Sequence, residues 1–206
     1  MRCSSRCLRV LVALVFVTVC SNRTRAEGFQ RIRPLTALLT TVIATAHERS
    51  TTFRSVVERI ERSDVIVHLT CGQFKSLMLA GQTWLVTAGP GVRYVHVQVL
   101  CQQTEPALVE IVGHELEHVA EIASTASVVD EKSFARLFAA IGFSTCLSPG
   151  PEQFETAGAI ATGERVRSEY LHYADAMVQA NRRFAGSVER RSGPGRPREP
   201  THRPLD

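Results

Sequence analysis

The chain has 206 residues and a formal net charge of +4, enough for one domain of ordinary size with a real core. The charge is unevenly spread: residues 1–26 carry five Arg and no acid, residues 182–206 carry seven Arg against three acids, and residues 27–181 hold twelve basic against seventeen acidic side chains, a net −5. The basic balance therefore points to no nucleic-acid partner, because the part that can fold is mildly acidic.

In chain order, Arg2, Arg6 and Arg9 precede an apolar run, "VLVALVFVTVC", of signal-peptide length and too short to span a bilayer comfortably. Thr24-Arg25-Ala26 offers a small-residue cleavage site before Glu27. Residues 1–26 are thus expected to be the signal peptide of an exported protein, periplasmic or extracellular, with no stable membrane insertion once it is removed. A retained anchor helix is the alternative. Cys3, Cys7 and Cys20 fall in that segment, leaving Cys71, Cys101 and Cys146. Three thiols allow at most one internal bridge, and Cys71 with Cys101, both at expected strand ends, is the favoured pair. No CxxC occurs, which excludes a zinc ribbon.

A domain is expected over residues 27–181. Apolar residues three and four apart predict helices over 34–47, with Pro34 in the first turn, and over 52–62. From Asp64 the period changes to that of strands: "VIVHL", "FKSLMLA", "TWLVT" and "VRYVHVQVL". In the last of these Val95, Val97 and Val99 face one way, and Tyr94, His96 and Gln98 the other. The short, Gly-rich connections predict an antiparallel meander, since consecutive parallel strands need a long crossover. Three helices follow, from Pro106 to Ser124, from an Asp130 cap to Ile141 with Gly142 as its stop, and from near Glu152 past Tyr173 towards Asn181. The fold class is α+β: two helices, a small antiparallel sheet and a helical half. Residues 182–206, rich in Pro, Gly and Arg, are expected to form a disordered basic tail.

Residues 111–123 read "IVGHELEHVAEIA". At about 100° per residue, His118 falls about 40° from His114 on the same helix face. Glu115 falls about 100° away, inside the apolar arc of Leu108, Ile111 and Ile122. A solvated helix explains Glu110, Glu117 and Glu121, but not a carboxylate among core positions, where an unpaired charge costs several kcal/mol. A metal held by His114 and His118 explains it: zinc activates a water, and Glu115 takes the proton as general base. With seven His in the chain, random placement yields only about 0.02 H-E-x-x-H matches.

"HELEH" resembles the zinc-binding helix of the zincin metallopeptidases. The metzincin extension is absent, with Glu121 where its glycine and Ser124 where its third histidine belong. The resemblance is instead to the glutamate-zincin branch, which implies a zincin-like fold and a third ligand, a Glu, on a later helix. The wording "GHELEHVAEIA" is also similar to short exported bacterial proteins of unknown function. Candidates for the third ligand are Glu121, Glu131, Glu152 and Glu155. Glu131 and Glu152 suit helix starts by charge alone. Glu121, one turn past His118, either hydrogen-bonds a ligating histidine or is simply solvated. Glu155 is preferred: it lies thirty-seven residues after His118 and shares a small, apolar face with Ala159, Thr162, Val166 and Tyr173. The branch's ligand motif N-E-x-x-[ST]-D is replaced here by "FETAGA". A peptidase also needs a donor for the tetrahedral intermediate; Tyr170, His172 and Tyr173 lie on the right helix as candidates, with core packing or surface exposure the commoner role for each.

The expected function is an exported zinc-dependent hydrolase, a metallopeptidase acting on a peptide or protein substrate. A non-catalytic structural or regulatory zinc protein and a metal-free helical binding module are the alternatives.

Overall fold

The computed structural model describes residues 29–76, 78–145 and 153–191. The expected signal peptide, Cys146, Glu152 and the chain beyond 191 lie outside the described residues. The first elements are β1 (Ile32–Pro34), α1 (Ala37–Arg49) and α2 (Thr51–Glu61). Pro34 ends β1 and does not open a helix; Thr36 caps α1 by accepting from the Leu39 N–H at 3.2 Å. Ser50 closes α1 and caps α2, so the chain turns between them on one buried residue.

Three longer strands follow, β2 (Val65–Gly72), β3 (Gly81–Gly89) and β4 (Val92–Leu100). The sheet is mixed, in the order β1-β2-β4-β3, with β1 and β4 parallel to β2 and β3 antiparallel to β4. The expected meander is corrected here. The described residues of "FKSLMLA", 74–76 and 78–80, form no strand; they belong to the connection from β2 to β3, which steps past one strand position. β3 then runs back along the edge, and a tight turn at Gly91, in the left-handed region at φ 73°, returns the chain as β4 between them. A long crossover is needed only when parallel neighbours are consecutive; here they are not.

Alternation sets the two faces of the sheet. Val65, Val67 and Leu69 of β2 and Val95, Val97 and Val99 of β4 are fully buried and join Ile43, Phe53, Ile60, Leu116 and Ile122 in one core. On the other face Trp84 stacks on His96 at 4.3 Å and His68 on Tyr94 at 6.2 Å. Cys71 and Cys101 form a disulfide with their Cα atoms 5.4 Å apart, tying the ends of the parallel pair β2 and β4.

The helical half comprises α3 (Glu105–Ala123), α4 (Glu131–Ile141) and α5 (Ala157–Arg191), with a small hairpin of β5 (Phe143–Thr145) and β6 (Gln153–Glu155) before α5. Asp130 caps α4 in a reciprocal box with Ser133. α3 crosses the core and is buried over most of its length. Its last carbonyls, of Ile122 and Ala123, accept from the guanidinium of Arg93, which is 3 % exposed and held by Asp64. A cation there suits the negative end of the helix dipole, and it draws the Asp64 carboxyl below its ordinary range. Glu117 is buried rather than solvated, paired with Arg59 of α2 at 2.6 Å.

α5 runs antiparallel to α3. Thr156 meets Glu121, Gly163 lies against His114, Arg167 pairs with Glu110, and Tyr170 reaches Glu105. Each turn forward on α5 is a turn back on α3. A Cβ on Gly163 would stand 3.1 Å from the His114 Cβ and 3.2 Å from the Glu110 carbonyl, so a small residue lets the helices approach beside the first histidine. α5 continues to Arg191, so the change in composition at Arg182 does not mark its end.

Candidate metal centre

α3 presents His114 and His118 one turn apart, their ring centroids 5.0 Å from each other and their planes at 83°. Oε1 of Glu155 lies 3.1 Å from Nε2 of His114 and 3.2 Å from Nε2 of His118. Two ligands each about 2.0–2.1 Å from a tetrahedral zinc stand about 3.3 Å apart, so the Glu155 oxygen stands at ligand spacing from both histidines, and the three ligand atoms lie within 4.8 Å of one another. Its nitrogen and carboxylate donors are also those zinc takes. His114, His118 and Glu155 are the group of metal-ligating side chains among the described residues. They form an HExxH-type zinc-binding site with a distant glutamate, the arrangement of a catalytic centre in zincin-like metallopeptidases.

The place of Glu155 corrects one expectation. It closes strand β6, paired in register with Phe143, and is not on the helix that follows. Thr156 caps that helix by accepting from the Ala159 N–H at 3.0 Å. The hairpin therefore presents the carboxylate to α3, and its small apolar helical neighbours are packing residues of α5.

The surroundings fix each ligand. Nδ1–H of His118 donates to Oε2 of Glu121 at 3.0 Å, which leaves Nε2 as the metal-facing nitrogen. Oε1 of Glu121 accepts from the Thr156 hydroxyl at 2.7 Å. Phe138 of α4 closes edge-on over the His118 ring at 5.4 Å. Burial favours the neutral form of His118, but the hydrogen bonds to Glu121 and Glu155 outweigh it and hold the ring protonated up to about 10. Burial likewise opposes the charge on Glu155, and its hydrogen bonds to His114 and His118 overcome that, lowering it to about 2. Both shifts arise from the same hydrogen bonds between carboxylates and imidazoles, which stabilise the charged forms.

Glu115 is 5 % exposed. Its Oε2 accepts from the Thr83 hydroxyl of β3 at 2.7 Å, and a Cβ on Gly81 would overlap its carboxylate. The edge strand thus grips the base with a threonine and makes room for it with a glycine. Burial raises the Glu115 carboxyl above its ordinary range, against the pull of His118, His114 and Thr83. Glu115, the three ligands and Phe138 face a cleft of about 1080 Å³ between β3 and α3, with α4 and β6 on its far side.

The structure places none of the three candidate donors at the cleft: Tyr170 bonds Glu105 and Arg49. The Tyr173 hydroxyl bonds Glu48 of α1 at 3.3 Å and its ring lies near Arg49; His172 is exposed; neither lines the cleft. The cause is the direction of α5: at about 1.5 Å per residue, position 170 lies more than 20 Å along the helix axis from the metal end. Among the described residues that line the cleft there is no Tyr, Arg or Lys. Glu131 is exposed at the start of α4 and outside the metal trio. Sequence reasoning passed over Thr83, Gly81, Thr156 and Phe138, which support the site through contacts between elements distant in the chain.

Compared with protein-family models, with curated proteins and with solved structures, the chain matches none. Its likeness to the HExxH metallopeptidases is a likeness of the site alone: two histidines one turn apart, a buried glutamate between them, and a carboxylate brought in by the hairpin before α5.

Proposed function

We propose that the chain is an exported zinc peptidase that cleaves extended peptide segments. The observation that carries the reading is the position of Glu115, buried next to the ligand pair yet facing a cleft whose other wall is the sheet's edge strand. An edge strand has unpaired backbone N–H and C=O groups, and a peptide can add to β3 as a further strand. Bound zinc supplies Lewis acidity and a water of lowered pKa. The chain's own residues would do the rest: Glu115, oriented by the Thr83 hydroxyl, would be the proton acceptor, and β3 would align the substrate backbone along the cleft. Export is supported by the arginines and apolar run before Glu27 and by the Cys71–Cys101 bridge, which suits an oxidising compartment. No described helix is long and apolar enough to cross a membrane.

One observation favours a second reading, a zinc protein without efficient catalysis: the described cleft residues include no cation or phenol to stabilise a tetrahedral oxyanion. A single comparison separates the two. Zinc-loaded wild type and Glu115→Gln are incubated with a mixed peptide library, with and without chelator. The peptidase reading expects cleavage by the wild type alone, abolished by chelation. No cleavage at confirmed zinc occupancy favours the second reading, and equal cleavage by both proteins traces the activity to a contaminant.

A further inference from the structure

The metal trio is assembled from two separate pieces of chain, the middle of α3 and the last residue of β6, and something must hold these in register. Thr156 does so with three bonds. Its backbone N–H donates to Oε1 of Glu155 at 3.0 Å, the same oxygen that faces both imidazoles. Its hydroxyl donates to Oε1 of Glu121 at 2.7 Å, and the other oxygen of Glu121 takes the Nδ1–H of His118. The hydroxyl oxygen also accepts from Ala159, which starts α5 at this residue. Thr156 is 2 % exposed, so water does not compete for these groups. Gly158 keeps the approach open, since a Cβ there would stand 3.2 Å from Oε1 of Glu121.

From this geometry we propose that Thr156 is a positioning residue for the metal site. By fixing the Glu121 carboxylate it selects the His118 tautomer whose Nε2 carries a lone pair, and by its N–H it aims Glu155 at the same point. The proposal rests on the reading that His114, His118 and Glu155 hold zinc. Its chemistry distinguishes a latch from a simple helix cap. A threonine hydroxyl has one hydrogen, and here it goes to Glu121 while a lone pair serves the cap. In Glu121→Gln the amide oxygen can accept from Thr156, but the NH2 then faces Nδ1 of His118. The ring must accept there and carry its proton on Nε2, the wrong tautomer for a ligand.

The test is zinc affinity of the full chain by competition with a chromophoric chelator, with cobalt(II) absorption as a second readout of ligand geometry. Melting of the metal-free proteins confirms that each variant is folded. Thr156→Val and Glu121→Gln are each expected to weaken zinc binding about 10–100-fold, as removal of outer-shell partners does. Thr156→Ser, which keeps the hydroxyl, should stay within about threefold of wild type, and the double variant should lose little more than the worse single one, because both break one linkage. Should Thr156→Val not fold, Glu121→Gln, which leaves the cap intact, decides alone. Wild-type affinity in Glu121→Gln, or loss in Thr156→Ser equal to that in Thr156→Val, overturns the proposal. Absence of zinc binding by the wild type overturns the metal reading beneath it.

Discussion

Thr83 of the edge strand donates its hydroxyl to Glu115 of the metal helix at 2.7 Å, so the strand that would receive a peptide also orients the base that would act on it. One oxygen of the carboxylate is engaged by this bond, and the other lies against Gly81. Thr83→Val removes the donor at nearly constant shape. It should lower peptide hydrolysis about 10–100-fold, as loss of a supporting hydrogen bond does, with zinc occupancy unchanged, while Thr83→Ser should restore most of the rate. Steady-state kinetics at matched zinc content check this; loss of zinc in Thr83→Val would instead make the threonine a support of the metal.

Glu115 is kept for chemistry at the expense of stability. An acid raised by burial contributes its stability below its unfolded pKa and loses it as pH rises through the folded one; at pH 7, above the unfolded value, its burial is therefore a cost. Glu115→Gln should raise the melting temperature of the metal-free protein by a few degrees, the usual sign of a relieved functional site. It should also cut hydrolysis at least about 100-fold, the lower range for loss of a general base. Calorimetry of both metal-free proteins at pH 7 measures the first effect, and a lower melting point in the variant would contradict it.

The pH dependence of stability should differ with and without metal. In the metal-free protein His118 is raised from 6.5 to about 10, so its contribution is complete below 6.5 and is lost as pH rises through about 10. Glu155 is lowered from 4.5 to about 2, so its contribution is present above 4.5 and disappears as pH falls through about 2. With zinc the ligand histidines are neutral and the alkaline loss should vanish, while binding should weaken on the acid side as protons compete for them. Urea midpoints from pH 5 to 10, with and without zinc, test the difference; parallel curves would count against it.

Much of the site was legible in the chain because its signals are local. The i, i+4 histidines and the glutamate inside the apolar arc need only one helix, and that helix is long, apolar and ended by Ser124. The alternation of Val95, Val97 and Val99 fixed the buried face of β4 in the same way, and Asp130 and Gly142 bounded α4. What was not legible depends on contacts between distant segments. Strand order is decided by where the chain lands after Gly72, not by the strands' own composition. Glu155 reads as a helical residue until the pairing of Phe143 with it makes a hairpin and Thr156 takes the cap. Tyr173 shares a helix face with the metal end, but the antiparallel run of α5 along α3 carries it away to Glu48.

The central claim is that His114, His118 and Glu155 hold one zinc ion, and native mass spectrometry of untagged protein tests it most directly. One zinc per chain is expected in the wild type and in Glu115→Gln, with loss in His114→Ala and His118→Ala and marked weakening in Glu155→Ala. A wild-type chain that remains metal-free at saturating zinc, with no rise in melting temperature, would contradict the account.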